Sequence, residues 1–277
     1  MEQLEILTKL RCWLIAICMS PGSLLAQDAA LDSGRFESFD GTHIYYESRG
    51  SGKPVILIHG FISNMDSWKR TALLSDLHSA GYRAVLVDLR GNGKSGRPHE
   101  SEAFENDAEA MDVMILADKL GLRSYAAVGY SRGAIIASRV ALLDKRVNAV
   151  VLGGMGADFT NPDWPRRHNI YRALSGEPGA EFAGLIDRIK KDPNLDQLCL
   201  AYMQKSQPVT SAQELLAFKR PVLVICGDKD EDNGSSKTLS QMIPGSTYVR
   251  VPGVHNDTAR SKDFSIQVID FLTKFTP

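Results

Sequence analysis

The sequence predicts one α/β unit: a mostly parallel eight-stranded sheet with helices on both faces and an inserted helical lid. Three observations carry this. Short apolar runs alternate with longer runs of helical period, the rhythm of strands joined by crossover helices. The 277 residues are 43% hydrophobic and 23% charged, which suits a large core and carries no signature of disorder. Between residues 157 and 218 the rhythm breaks, and Pro162, Pro165, Pro178, Pro193 and Pro208 punctuate short helical pieces. Phe159, Trp164, Tyr171, Phe182, Leu185, Ile189 and Tyr202 give that stretch too many apolar anchors for a disordered linker. The expected division is therefore a core over residues 33–156 and 219–277, with the lid over 157–218.

Residues 1–26 read as an export signal. Lys9 and Arg11 precede the apolar stretch Cys12 to Met19, Pro21-Gly22 breaks it, and Leu24-Leu25-Ala26 offers a small residue at the cut. The stretch is shorter than the roughly 20 residues that span a bilayer; an uncleaved N-terminal anchor is the alternative. Cleavage implies a periplasmic or secreted protein, with no stable membrane span in the mature chain. It also removes Cys12 and Cys18, leaving Cys199 and Cys226, which is no disulfide framework. Cys226 is expected to be a buried strand residue.

Eight strands are expected: Arg35–Phe39, His43–Glu47, Val55–His59, Ala84–Val87, Tyr125–Gly129, Ala149–Leu152, Val222–Cys226 and Thr247–Val251. Asp40-Gly41 between the first two signals an antiparallel hairpin. Among the helices, Phe104 to Leu120 places Phe104, Ala108, Met111, Ile115 and Leu120 near one face, and the C-terminal run repeats as Phe264, Val268 and Leu272. Both are expected to cover the sheet through those faces.

The most informative stretch is Gly129-Tyr130-Ser131-Arg132-Gly133, which follows an apolar strand-like run and precedes an Ala/Ile-rich helical one. It reads as a nucleophile elbow. A side chain at either glycine position would collide with the neighbouring strand or helix, and the turn points the next backbone N–H at the space where a substrate oxygen gains charge. Ser131 needs a base to be nucleophilic, and the base needs an orienting acid. Downstream, Gly227-Asp228-Lys229-Asp230 follows one expected strand and Pro252-Gly253-Val254-His255 follows the next. Both fall where open α/β sheets place their sites, at the C-terminal ends of strands. Taken singly these are a turn serine, surface acids and a solvated histidine; their joint order and placement favour a triad.

These motifs, with His59-Gly60-Phe61 and Asp88-Leu89-Arg90-Gly91-Asn92-Gly93-Lys94-Ser95, resemble the α/β-hydrolase superfamily from about Arg35 to the C-terminus, the lid being the divergent part. The resemblance implies Ser131 as nucleophile, His255 as general base and then acid, and Asp230 as the orienting acid, with Asp228 and Asp232 as rivals. It also implies an oxyanion hole from the backbone N–H groups of Phe61 and Arg132. His59 more naturally braces the oxyanion loop than titrates in catalysis. Epoxide hydrolases and haloalkane dehalogenases resembling this fold use Asp where this chain has Ser131.

Other chemistries are disfavoured. Gly91-Asn92-Gly93-Lys94-Ser95-Gly96 imitates a dinucleotide fingerprint, but Arg97-Pro98-His99 continues as loop where a helix must begin. A P-loop is excluded because its first glycine position is Asp88. A net charge of −1 carries no footprint for nucleic acid. No His or Cys pair has metal-ligand spacing, so neither metal nor cofactor is implied. The Asn233 and Asn256 glycosylation patterns read as chance, since a glycan beside His255 would block the site; this favours a bacterial exported protein. Arg166, Arg167, His168 and Arg172 read as a solvated helix face rather than a lining for an acidic substrate.

The expected activity is hydrolysis of a small or medium carboxylic ester through an acyl-enzyme, falling in acid as the base protonates. Perhydrolase, C–C bond hydrolase and amidase chemistry on the same triad stay open, as does a ligand-binding member with little turnover.

Overall fold

The computed structural model describes residues 31–177 and 182–276; residues 1–26, read above as an export signal, lie outside the described residues. All eight expected strands form: β1 Asp32–Glu37, β2 His43–Arg49, β3 Lys53–Ile58, β4 Tyr82–Val87, β5 Tyr125–Tyr130, β6 Val147–Gly153, β7 Val222–Gly227 and β8 Thr247–Val251. They make one sheet in the order β1-β2-β4-β3-β5-β6-β7-β8. Pairing is antiparallel for β1–β2 and β2–β4 and parallel from there on. β1 begins and ends earlier than its sequence suggested. Ser38 and Phe39 leave the strand to enter the Asp40-Gly41 turn, where Gly41 takes φ 82°.

The helices among the described residues are α1 Asp66–Lys69, α2 Ala72–Ser79, α3 Ala108–Lys119, α4 Arg132–Leu143, α5 Pro165–Leu174, α6 Ala183–Lys191, α7 Gln197–Lys205, α8 Ala212–Leu216, α9 Ser236–Met242, α10 His255–Thr258 and α11 Lys262–Phe275. Strand alternation divides the core between the two sheet faces. Ile56 and Ile58 of β3 join Val113 and Leu116 of α3, Ile135 and Ile136 of α4 and Leu239 of α9. Val55 and Leu57 face the other way, toward Leu73 and Leu77 of α2 and Phe264, Val268 and Leu272 of α11. The α11 face is thus the one its periodicity indicated.

The α3 face is not. The run from Phe104 breaks at Asn106 and Asp107, both at positive φ, and Met111, Ile115 and Leu120 are only half-buried. Beside Ala108, it is Glu109, Asp112, Val113 and Leu116 that face inward. The helix is turned because its two buried acids are taken up by arginines. Asp112 receives Nε and Nη2 of Arg90, each at 2.7 Å, and Ser38 Oγ at 2.5 Å. Glu109 is gripped by both terminal nitrogens of Arg132. A paired acid is tolerated inside where a lone one is not.

Between β6 and β7 the chain forms α5 to α8. Ile170, Leu174, Ile189, Cys199, Leu200 and Met203 give this insertion its own apolar cluster, against which Phe61 and Ile62 of the loop after β3 also pack. It therefore lies over the C-terminal edge of the sheet. Cys199 and Cys226 are both buried and free. No described helix is long and apolar enough to cross a membrane.

Candidate active site

The turn from β5 into α4 is as tight as its glycines demand. A Cβ on Gly129 would lie 2.1 Å from the Gly133 carbonyl oxygen, and one on Gly133 would lie 2.1 Å from the Ile58 carbonyl oxygen of β3. Only hydrogen fits at either place. Ser131 itself sits at φ 56°, ψ −126°, a strained conformation for a residue with a side chain, held because strand and helix over-determine it.

Asp230 and His255 arrive from the loops after β7 and β8. Those loops are stitched together, since Asp228 N–H donates to the Val251 carbonyl at 2.8 Å and Lys229 N–H to the Gly253 carbonyl at 3.0 Å. The Asp228 carboxylate accepts Gly253 N–H at 2.9 Å, so this rival is occupied bracing the histidine loop. Asp230 Oδ2 lies 2.9 Å from His255 Nδ1, and His255 Nε2 lies 2.9 Å from Ser131 Oγ. A carboxylate can only accept, so Nδ1 carries the proton and Nε2 is free to receive the serine hydroxyl. Asp232 supplies only its backbone N–H to Asp230 Oδ1, at 3.3 Å.

Asp230 is buried, which raises its carboxyl, but hydrogen bonds and charge from His255, with further bonds from Cys226 and Asp232, outweigh this and hold it below the ordinary value. Two participants were not legible in the sequence. The Cys226 thiol donates to Asp230 Oδ2 at 3.3 Å, and burial together with that carboxylate pushes the thiol up to about 12, so it stays a donor. The Tyr130 hydroxyl donates to the His255 carbonyl at 2.7 Å, with its ring 5.5 Å from the imidazole and edge-on to Phe264 at 5.7 Å. The signal for Tyr130 was its place inside the elbow motif.

The expected oxyanion donors flank the serine. Arg132 opens α4, so its N–H has no carbonyl one turn earlier to bond. Phe61 follows Gly60, where an added Cβ would stand 3.2 Å from Ser131 Cβ and 3.7 Å from its Oγ. His59 fixes this loop: its Nδ1–H donates to the Gly60 carbonyl at 2.8 Å and its Nε2 accepts Leu89 N–H at 3.1 Å. Complete burial holds the imidazole below its ordinary value. The Gly91–Gly96 segment stays a loop, and Asp88 accepts Met65 and Lys94 N–H groups at 2.8 Å each.

Ser131 opens on a cleft of about 740 Å³ bounded by Phe61, Trp68, Tyr130, Ile170, Leu185 and His255 among others. A smaller pocket of about 80 Å³ continues behind it between Ile135, Met155, Trp164 and Ile170. Among the described residues, two groups of side chains could hold a metal ion by distance alone: Asp230, Asp232 and His255, and His99, Asp196 and Cys199. Spacing could not reveal either. In the first, both imidazole nitrogens are already engaged. In the second, Asp196 caps α7 and the Cys199 thiol donates to the Pro98 carbonyl, burial pushing it up to about 12, a poor state for a ligand.

The family model for the α/β-hydrolase fold matches residues 53–173, the segment that carries the oxyanion loop and the elbow. The chain has the α/β-hydrolase fold. It is 44% identical over 90 residues to a putative non-heme chloroperoxidase of Synechocystis sp., a match covering 32% of this chain and 31% of the relative. It is 30% identical over 181 residues to the bifunctional epoxide hydrolase 2 of Sus scrofa, covering 59% and 31%. The matched stretch spans about a third of the length of these curated relatives. Among solved structures, a thermophilic esterase from Thermogutta terrifontis superimposes with a TM-score of 0.72 over 88% of this hydrolase-fold chain and 98% of its own, at 22% identity.

Proposed function

We propose that this chain is a serine hydrolase that cleaves a carboxylic ester through an acyl-enzyme. The single observation that carries the reading is the continuous relay from Asp230 through both nitrogens of His255 to Ser131 Oγ, each link 2.9 Å. In this mechanism His255 Nε2 takes the serine proton as Oγ attacks the ester carbonyl. The developing oxyanion rests on the Phe61 and Arg132 N–H groups, whose fixed dipoles cost no reorganisation. His255 then protonates the leaving alcohol, and water attacks the acyl-enzyme by the same route in reverse. The pocket behind Ser131, about 80 Å³, has the volume of two or three waters at ~30 Å³ each, which suits a short acyl chain.

The relatives named epoxide hydrolases do not move this reading, because opening an epoxide with a covalent intermediate that water can release calls for a carboxylate nucleophile at position 131. A second reading, transfer of the acyl group to hydrogen peroxide instead of water, is favoured by the likeness to the chloroperoxidase. There a carboxylic acid and peroxide would give a peracid and water on the same residues.

A fluorophosphonate probe and a nitrophenyl ester series test the proposal. Labelling at Ser131 with turnover of short acyl esters is expected, and Ser131→Ala should lose both, with kcat down by roughly 10⁴-fold or more. Labelling elsewhere, or turnover that survives the substitution, overturns it. Peracid formation from acetate and peroxide exceeding ester hydrolysis would select the second reading. We also infer export, on the strength of Lys9, Arg11 and the Cys12–Met19 stretch; a mature N-terminus at or near Gln27 is the outcome that supports it.

A further inference from the structure

Five arginines among the described residues have no hydrogen bond, ion pair or ring contact, and four of them, Arg70, Arg166, Arg188 and Arg260, line the larger cleft that opens on Ser131. The fifth, Arg123, lies elsewhere. The contrast with the rest of the molecule is sharp. Arg49, Arg90, Arg132, Arg139, Arg146 and Arg172 all have a carboxylate partner, and Arg97, Arg167, Arg220 and Arg250 bond backbone carbonyls. The four come from separate places in the chain, one after α1, one on α5, one on α6 and one after α10, so no local sequence run explains their convergence. Among the described residues two acids share the cleft, Asp192 and Asp232, and Asp192 already accepts both N–H and Nδ2 of Asn194. The lining therefore keeps an excess of positive charge with its donors free. Arg166 also borders the small pocket behind Ser131, which places it at the junction of the two spaces.

We infer that the cleft selects esters whose alcohol portion carries a carboxylate. The inference rests on the serine-hydrolase reading and names its substrate class. The small pocket takes the acyl group, the scissile carbonyl stands at Ser131, and the alcohol portion extends into the larger space among the four guanidinium groups. One exposed guanidinium adds little. Several converging on a partly enclosed cleft focus the potential, and each offers a planar fork that a carboxylate accepts in bidentate fashion. Lysine, absent from this lining, would supply charge without that geometry.

The test compares 4-acetoxybenzoate with methyl 4-acetoxybenzoate, each rate normalised to the ester's own hydroxide-catalysed hydrolysis. The wild type is expected to favour the anionic ester at least tenfold in kcat/KM, mainly through KM, with the preference shrinking as sodium chloride is raised. The double variants R166Q/R260Q and R70Q/R188Q should each bring the two esters to within about twofold of each other. Equal or better use of the methyl ester by the wild type overturns the inference, as does a preference that the variants leave intact. A preference confined to acyl-side carboxylates, tested with phenyl hydrogen succinate against phenyl acetate, also overturns it. Calorimetric binding of 4-hydroxybenzoate against its methyl ester to Ser131→Ala reads the anion site without turnover. Tighter anion binding with no turnover of any ester by the wild type would retire the hydrolase reading and keep the site, whereas turnover without anion preference would do the reverse.

Discussion

Arginine is used in two opposite ways in this protein. Beneath the sheet edge, Arg90 and Arg132 are buried, and each is paired with a carboxylate of the same helix, α3. Above the same edge, Arg70, Arg166, Arg188 and Arg260 line the cleft with no carboxylate of their own. The first pair has given up water and is locked to its partners, so its value lies in what it positions. Arg90 belongs to the loop after β4, and Arg132 directly follows Ser131. The second set keeps its hydration and its donors, so nothing in the fold depends on it. A cation that the scaffold does not need and that shares a cleft with Ser131 is available to a ligand. The contrast makes separate predictions for stability and for activity.

The largest stability effect should come from breaking one of the buried pairs. Asp112→Asn leaves Arg90, fully buried, with only the partly exposed Asp40 as a charged partner. The expected loss is about 3–5 kcal/mol, read by urea denaturation at neutral pH. The double change R90M/D112L should recover most of it, because similar apolar volume replaces the pair and leaves no orphaned charge. If Asp112→Asn costs less than about 1 kcal/mol, the pair does not hold the loop and the contrast between the two sets weakens.

The same pair explains where sequence reading succeeded and where it failed. Val55–Ile58 and Val222–Ile225 are continuous apolar runs buried on both sides, a pattern that hydrophobicity alone exposes. The elbow was legible because its glycines are demanded by contacts as short as 2.1 Å, which no other residue type survives. The buried face of α3 was not legible. Apolar periodicity weighs Glu109 and Asp112 as solvent residues, and their partners lie 22 or 23 positions away, at Arg90 and Arg132. Cys226 escaped as a donor because its sequence context is that of any strand residue. Arg70, Arg188 and Arg260 escaped because a lone exposed arginine resembles ordinary surface, and only the fold gathers them. Of the basic run on α5, Arg172 pairs with Glu177 and Arg167 bonds carbonyls; Arg166 alone of its four members faces the large cleft.

His59 should give the next largest effect, and it lies close enough to the Glu109–Arg132 pair to feel both charges. Its folded-state pKa is depressed, chiefly by burial. Above the unfolded value of roughly 6.5 both states are neutral and nothing is lost. As pH falls below that value the unfolded chain takes up a proton that the folded chain refuses, so stability declines by up to ~1.4 kcal/mol per pH unit. Between pH 7.5 and 5.5 the unfolding free energy should fall about 1.4 kcal/mol further for wild type than for His59→Gln, a steeper slope. Equal slopes would mean that the imidazole protonates in place.

Cys226→Ala should act on activity more than on stability. It removes one donor to Asp230 Oδ2 and leaves His255 as that atom's partner. A hydrogen bond of this kind contributes about 0.5–1.5 kcal/mol, so kcat/KM is expected to fall about two- to tenfold, and Cys226→Ser should restore part of it. A merely space-filling thiol would give the opposite order, with alanine tolerated and serine penalised.

The smallest expected effect is the most discriminating. Arg166→Gln removes a charge that pairs with nothing in the protein, so unfolding free energy should stay within about 0.5 kcal/mol of wild type. If the substitution instead destabilises as a buried pair would, Arg166 holds the insertion in place and is no longer free for a ligand. If it stabilises slightly, the four guanidinium groups repel one another when the cleft is empty, as uncompensated like charges must. That repulsion would be relieved on binding an anion, so added 4-hydroxybenzoate should raise the melting temperature of the wild type more than that of Arg166→Gln. The free cations would then be a strain that ligand removes, whereas the carboxylates of α3 removed the strain on Arg90 and Arg132 when the chain folded.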